Sequence, residues 1–168
     1  MKHNIRKQLH PQLREVWKGH PSLSGSFKPN KAGVSRVEEI ARDYSKCNFR
    51  FVPLIRKKEN ACSLNILILF RHEPYRAYNA GDLDNRVKTL VDGLRMPDQC
   101  SEVTGQFPSG DENPFFVLMD DDRVIYEFQV TTDQLFAPQE QNEAYRDVFA
   151  VIGIRMTTLG RNPIAYLS

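Results

Sequence analysis

Residues 81 to 88 read Gly-Asp-Leu-Asp-Asn-Arg-Val-Lys, and Asp120, Asp121 and Asp122 stand in a row ahead of Val124-Ile125. Two carboxylates two residues apart, Asp82 and Asp84, a lysine at Lys88 and a distant acidic row are the groups that a divalent-metal phosphodiesterase site uses. Hard cations such as Mg²⁺, or Mn²⁺ in its place, take oxygen ligands and keep several waters, so aspartates without His or Cys suit them and not zinc. Such an ion polarises a phosphoryl oxygen and generates hydroxide. An ammonium beside it, the role open to Lys88, stabilises charge that develops on an oxygen. Each residue also has a plainer reading: an Asp at a helix start is commonly an N-cap, and three aspartates in a row are commonly a solvated turn.

The elements that must position these groups follow from periodicity. Leu83, Val87, Leu90, Val91 and Leu94 recur at helical spacing after a loop over Glu73 to Ala80, which predicts a helix beginning near Asp82 to Asp84 with its apolar stripe on a sheet. Asp84, Lys88 and Asp92 then fall at successive i+4 steps on another face. The backbone N–H groups and macrodipole of the helix start offset part of the repulsion between Asp82 and Asp84. The chemistry further requires that this helix start and the acidic row converge at one sheet edge.

Upstream, Ile5 to Lys18 carries Leu9, Leu13, Val16 and Trp17 at helical spacing interrupted by Pro11, and a Gly/Pro/Ser-rich loop follows over Gly19 to Gly33. Ser35, with Glu38 three residues on, predicts the start of a second helix through Val37, Ile40, Ala41 and Tyr44. Phe49–Ile55 and Ala61–Phe70 read as two strands of a hairpin joined by the polar turn Arg56 to Asn60, the second central and covered on both faces. Val124–Thr132 and Val148–Thr157 read as further strands. The expected fold is α/β (α+β): a single small domain over 47–168, with a mixed β-sheet and helices packed on it, after a helical N-terminal extension over 1–46.

At 168 residues with 40% hydrophobic content, the chain has material for one core. Its longest apolar stretch, Leu64 to Phe70 with Asn65 inside it, is far short of a membrane span, and no signal peptide opens it, so a cytoplasmic protein is expected. Cys47, Cys62 and Cys100 include no CxxC pair, which predicts reduced thiols and no zinc site. The net charge of +2 hides an asymmetry: residues 1–60 hold 14 Lys/Arg against 5 Asp/Glu and residues 61–168 hold 9 against 16, giving +9 and −7. The basic half is therefore the candidate for a polyanion. Lys28, Lys31 and Arg36 flank the Gly/Pro/Ser-rich loop, and Arg56, Lys57 and Lys58 sit in the hairpin turn; both clusters are positioned to reach phosphates without reading sequence.

Taken together, Gly81-Asp82-Leu83-Asp84-Asn85, Lys88, Asp92-Gly93-Leu94 and Asp120-Asp121 with Val124 downstream resemble the RusA-type Holliday junction resolvases, or crossover junction endodeoxyribonucleases. Their signature is a D-L-D-N helix start, a lysine, an aspartate-small-leucine ending and a D-D-x-x-[VIL] segment. The resemblance spans roughly residues 47 to 158. It implies a Mg²⁺-dependent endonuclease that resolves Holliday junctions or related branched DNA in recombination and repair, by attack of metal-activated water on the phosphodiester. By the same resemblance Asp82, Asp84 and Asp121 are the metal-binding carboxylates, Lys88 is the catalytic lysine, and Asp120, Asp92 and Asn85 support them. The fold it implies is a small mixed α/β domain that forms a homodimer, with one site for each of two opposing DNA strands. The acidic row leaves the register among Asp120, Asp121 and Asp122 open; Asp121 fits the distance to Val124. Two other readings stand beside it: a noncatalytic branched nucleic-acid binding protein of the same fold, with the acids as structural caps, and a metal-dependent enzyme on a small phosphate ester. The chain has no Gly-rich phosphate loop to support the latter.

Overall fold

The computed structural model describes residues 1–70, 83–135 and 148–158. They form a small mixed α+β domain with three α-helices and two three-stranded sheets. Helix α1 (Lys2–Gly19) leads through a short 3₁₀ turn, Ser24–Phe27, to α2 (Arg36–Asp43). Strands β1 (Ser45–Lys46), β2 (Phe49–Ile55) and β3 (Asn60–Phe70) follow, then α3 (Leu83–Leu94), β4 (Phe115–Met119), β5 (Ile125–Gln134) and β6 (Val148–Thr158). Helix α2 starts where expected: the Ser35 hydroxyl accepts the Glu38 N–H at 3.2 Å, and Glu38 and Glu39 put negative charge on the first turn.

Strands β2 and β3 are not a hairpin. The sheets run β1-β2-β4 and β5-β3-β6, so the turn after β2 carries the chain from one sheet to the other. β2 pairs in parallel with β4, Phe51 opposite Phe115 and Ile55 opposite Met119, while β3 pairs in parallel with β5 and antiparallel with β6. The burial expected of β3 belongs to β2 and β4. β3 does lie centrally, but only alternate residues (Cys62, Leu64, Ile66, Ile68, Phe70) are buried, whereas all of β4 and nearly all of β2 are enclosed on both faces. One face of β2/β4, with Val52, Leu54, Phe116 and Leu118, packs against Leu13, Trp17, Val37, Ile40 and Ala41 of α1 and α2. The other, with Phe49, Phe51, Phe115 and Val117, meets Met96 and Val103. An apolar run without alternation marks the strand buried on both sides, and β4 was hidden in the long link after α3. Pro53 is tolerated inside β2 because β1 pairs only with Phe49 and Arg50, leaving that edge free further along.

Helix α1 is longer than its predicted form, beginning at Lys2 and continuing through Pro11. Of the predicted stripe Leu13 and Trp17 are buried and Leu9 packs against the same core, Val16 is exposed, and His3, Arg6 and His10 extend the buried face. Because this stripe packs on β4 and α3 and shares the core of α2, the first 46 residues are built into the same core as the strands. The thiols also depart from expectation. Cys47 and Cys100 form a disulfide with Cα atoms 5.2 Å apart, and Cys62 alone is free and buried. The tight β1–β2 turn, with positive φ at Cys47 and Asn48, brings Cys47 to the 3₁₀ turn Cys100–Val103 across 53 residues, a pairing no local spacing announces. Among the described residues no helix is long and apolar enough to cross a membrane.

Gly93 is where α1 and α3 approach most closely: a Cβ there would lie 2.7 Å from both Cβ and Cγ2 of Ile5. Ile5 Cβ cannot swing aside without the helix, so Gly93→Ala is expected to destabilise the fold by about 1–3 kcal/mol. Chemical denaturation checks it; an unchanged midpoint contradicts the close approach.

Candidate functional site

The predicted site residues fall into two separate groups. Asp82 lies outside the described residues. Leu83, Val87 and Leu90 hold the first turns of α3 on Ile66, Ile68 and Phe70, and the Arg86 guanidinium lies over the Phe70 ring, 5.9 Å from its centroid. The helix start therefore stands at the C-terminal end of β3, with Asp84, Asn85 and Lys88 exposed. Asp84 and Lys88 share a face, as their spacing predicts.

Asp92, third on that face, is buried and points elsewhere. Its carboxylate takes Lys2 Nζ at 2.7 Å and Arg95 at 3.1 Å. Burial pushes its pKa up, but the hydrogen bonds and charges of Lys2 and Arg95 outweigh that and hold it below the ordinary carboxylate range. Asp92 thus ties α1 to the end of α3 and takes no part in a site with Asp84.

The acidic row terminates β4. Asp120 accepts the Tyr44 hydroxyl at 3.0 Å and the Lys57 backbone N–H at 3.1 and 3.2 Å, fixing the end of α2 and the β2–β3 turn to the end of β4. Asp121 caps the 3₁₀ turn Asp122–Val124 by accepting the Arg123 N–H at 3.0 Å, and it pairs with the Arg123 guanidinium at 2.9 Å and Lys57 Nζ at 3.6 Å. The hydrogen bonds from Arg123 are the main reason its carboxyl titrates well below the usual range. Asp122 is exposed, with Arg95 Nε at 3.9 Å. The row borders a charged cleft of ≈ 500 Å³ that Lys46, Arg95 and Asp98 also line.

These two groups do not converge. The far end of α3 reaches the acidic row: Leu94 shares a cluster with Leu64 and Val124, and Arg95 bridges to Met119. Asp84 and Arg95, the residue just after the helix, are eleven residues apart, about 16 Å at 1.5 Å per residue. Carboxylates on one Mg²⁺ each sit about 2 Å from it, and the length of α3 stands between Asp84 and the contacts that Leu94 and Arg95 make beside the acidic row. Among the described residues no three His, Cys, Asp or Glu are grouped to hold a metal.

Of the proposed phosphate contacts, Arg36 is paired with Glu39 and Glu59, Arg56 with Glu59, and Lys57 with Asp121. Lys28, Lys31 and Lys58 are exposed. The Arg36–Glu59 pair, with the Asn30–Glu39 hydrogen bond of 3.0 Å, joins the Lys28–Lys31 loop and the Lys58 turn into one surface. Arg123 was missed although its place two residues after Asp121 was visible in the sequence. Tyr44, Lys46 and Arg95 reach the acidic row only through tertiary contacts.

Fold and charge together define a small α+β domain with two charged centres at opposite ends of one helix. No protein-family model, no curated protein and no solved structure matches the chain.

Tyr44 reports directly on the acidic row. Burial, then the charge of Asp120 and its hydrogen bond, push the Tyr44 phenol up to about 12. Asp120→Asn removes the second and third causes and keeps the first, so the pKa is expected to fall toward 10 without reaching it. NMR titration of ring-labelled tyrosine measures this; a phenol still near 12 would show that Asp120 does not act on it.

Proposed function

We propose that this chain is a structure-selective DNA endonuclease acting on branched DNA with Mg²⁺ as cofactor, as its resemblance to the RusA-type resolvases implies. The observation that carries the reading is the setting of the D-L-D-N-x-x-K segment. Asp84 and Lys88 are exposed together on the first turns of α3, at the C-terminal end of β3, which is parallel to β5. α/β units commonly present ligand sites at that end of parallel strands. Asp82 and Asp84 are the carboxylates this reading retains for the ion, with Lys88 beside them. Asp121 is left to the other end of the helix.

Lys28, Lys31 and Lys58 form the surface offered to phosphates. Two cuts in a four-way junction call for a homodimer, and exposed apolar residues of the second sheet, among them Tyr126, Val151 and Ile154, are the proposed contact. Work on DNA places the protein in the cytoplasm, where the Cys47–Cys100 pair meets a reducing environment.

A second reading is favoured by one observation. Asp92 and Asp121 are committed to ion pairs and a cap, and Asp120 to hydrogen bonds from Tyr44 and the Lys57 backbone, as expected of a noncatalytic branched nucleic-acid binding protein.

A cleavage panel of four-way, three-way, flap and linear DNAs, with Mg²⁺ and with chelator, separates the two. The expected result is metal-dependent nicking of a branched substrate, lost in Asp84→Asn and reduced about a hundredfold in Lys88→Ala. Asp121→Asn is expected to retain most of the rate. Binding without nicking in Mg²⁺ or Mn²⁺ would establish the second reading.

A further inference from the structure

We propose that α1 is a proton-operated latch, held on the edge of β4 by His3 and His10 as uncharged rings and released when they are protonated in mildly acidic solution. Three of the five residues α1 buries, His3, Arg6 and His10, are ionisable, where an ordinary amphipathic helix would bury aliphatic side chains. His3 is 5% exposed, edge-on to Phe49 at 5.3 Å and stacked on Phe115 at 5.7 Å, and neither ring nitrogen has a hydrogen-bond partner. A neutral imidazole serves there as an aromatic ring; an imidazolium would bury two donors without acceptors.

His10 does something more specific. Strand β4 is an edge, and its Phe116 N–H donates to His10 Nδ1 at 2.9 Å, while His10 Nε2 lies 3.1 Å from the Asp111 carbonyl. Nδ1 accepts, so the ring proton is on Nε2 and the ring is neutral. Protonation makes both nitrogens donors and sets Nδ1–H against the Phe116 N–H.

Burial is the main cause that holds both histidines below their ordinary 6.5. Lys7, Arg6 and the amino terminus add to it at His3, and Arg14 adds to it at His10. Glu112 opposes it at both rings, and at His10 so do the hydrogen bond to Asp111 and the Asp111 charge. Where α1 meets α3 and the 3₁₀ turn, Asp92 and Glu102 pair with Lys2, Arg95 and Arg6, whose contacts outweigh burial and keep both carboxyls below the usual range. A histidine depressed in the folded state lends stability that is complete above pH 6.5 and declines as the pH falls below it. Carboxylates protonate lower, near pH 4, so the histidines are the buried groups that change charge first. Release would take Lys2 and Arg6 away from the last turn of α3 and uncover the edge of β4.

Trp17, the one tryptophan, is 1% exposed on α1 and reports its docking. In the full chain, Trp emission is expected to shift to the red as pH falls from about 7.5 to about 5, with the far-ultraviolet circular dichroism of the sheets kept. In His3→Leu/His10→Asn the emission is expected to stay at its neutral position over the same range. A wild-type emission that does not move, or a double variant that shifts as the wild type does, overturns the proposal. If the double variant does not dock α1 at neutral pH, NMR titration of the wild-type rings decides: both are expected below 6.5, and either one at or above it overturns the latch.

Discussion

The Arg6 guanidinium is the interaction through which the separate pieces of this fold become one. It is 1% exposed, and its Nε donates to the Arg95 carbonyl at 2.7 Å while its terminal nitrogen donates to the Asp92 carbonyl at 2.9 Å and to Glu102. One side chain on α1 thereby satisfies two carbonyls at the C-terminal end of α3, where a cation is favoured by the helix dipole. It also neutralises an acid on the 3₁₀ turn that carries Cys100. A buried guanidinium must have such partners or cost several kcal/mol, so while α1 is docked this one side chain holds α1, α3 and the link after α3 together.

Because its last turn is anchored in this way, α3 spans the domain as a rod with a defined direction. Its anchored end leads into Arg95, beside Asp122 at the end of β4; its other end packs Leu83, Val87 and Leu90 on Ile66, Ile68 and Phe70, with Asp84 and Lys88 exposed. Asp120 and Asp121 are saturated by Tyr44, Lys57 and Arg123, an arrangement that fixes the junction of β2, β3 and β4. At the start of α3, Asp84, Asn85 and Lys88 are exposed, and the proposed chemistry is assigned to that end.

Local pattern made much of this legible. The stripe Leu83, Val87, Leu90 and Leu94 gave α3, the Ser35 cap gave the start of α2, and apolar runs gave β2, β3 and β6 with accurate bounds. Pairing was not legible, since a strand followed by a polar turn and another strand is a hairpin in most sequences, and only the core beneath shows that Phe49–Ile55 and Asn60–Phe70 belong to different sheets. The buried face of α1 was legible only in part: Leu9, Leu13 and Trp17 marked it, but His3, Arg6 and His10 do not count as apolar in any periodicity. Asp92 looked like part of an acidic stripe because the spacing of a helix says which residues share a face and not which neighbour covers it. The same limit applies to Cys47 and Cys100, and to Asp84 and Asp121, whose separation is set by tertiary structure alone.

The separation of the two acidic centres can be tested with Mn²⁺ as a paramagnetic probe in amide-resolved NMR. Substoichiometric Mn²⁺ is predicted to broaden Asp84, Asn85 and Arg86 first, while Asp121 and Arg123, beyond about 16 Å of helix, keep their signals. Loss of both sets together at the lowest metal concentration would mean that the carboxylates share one ion, and would contradict the placement of the site at the start of α3 alone.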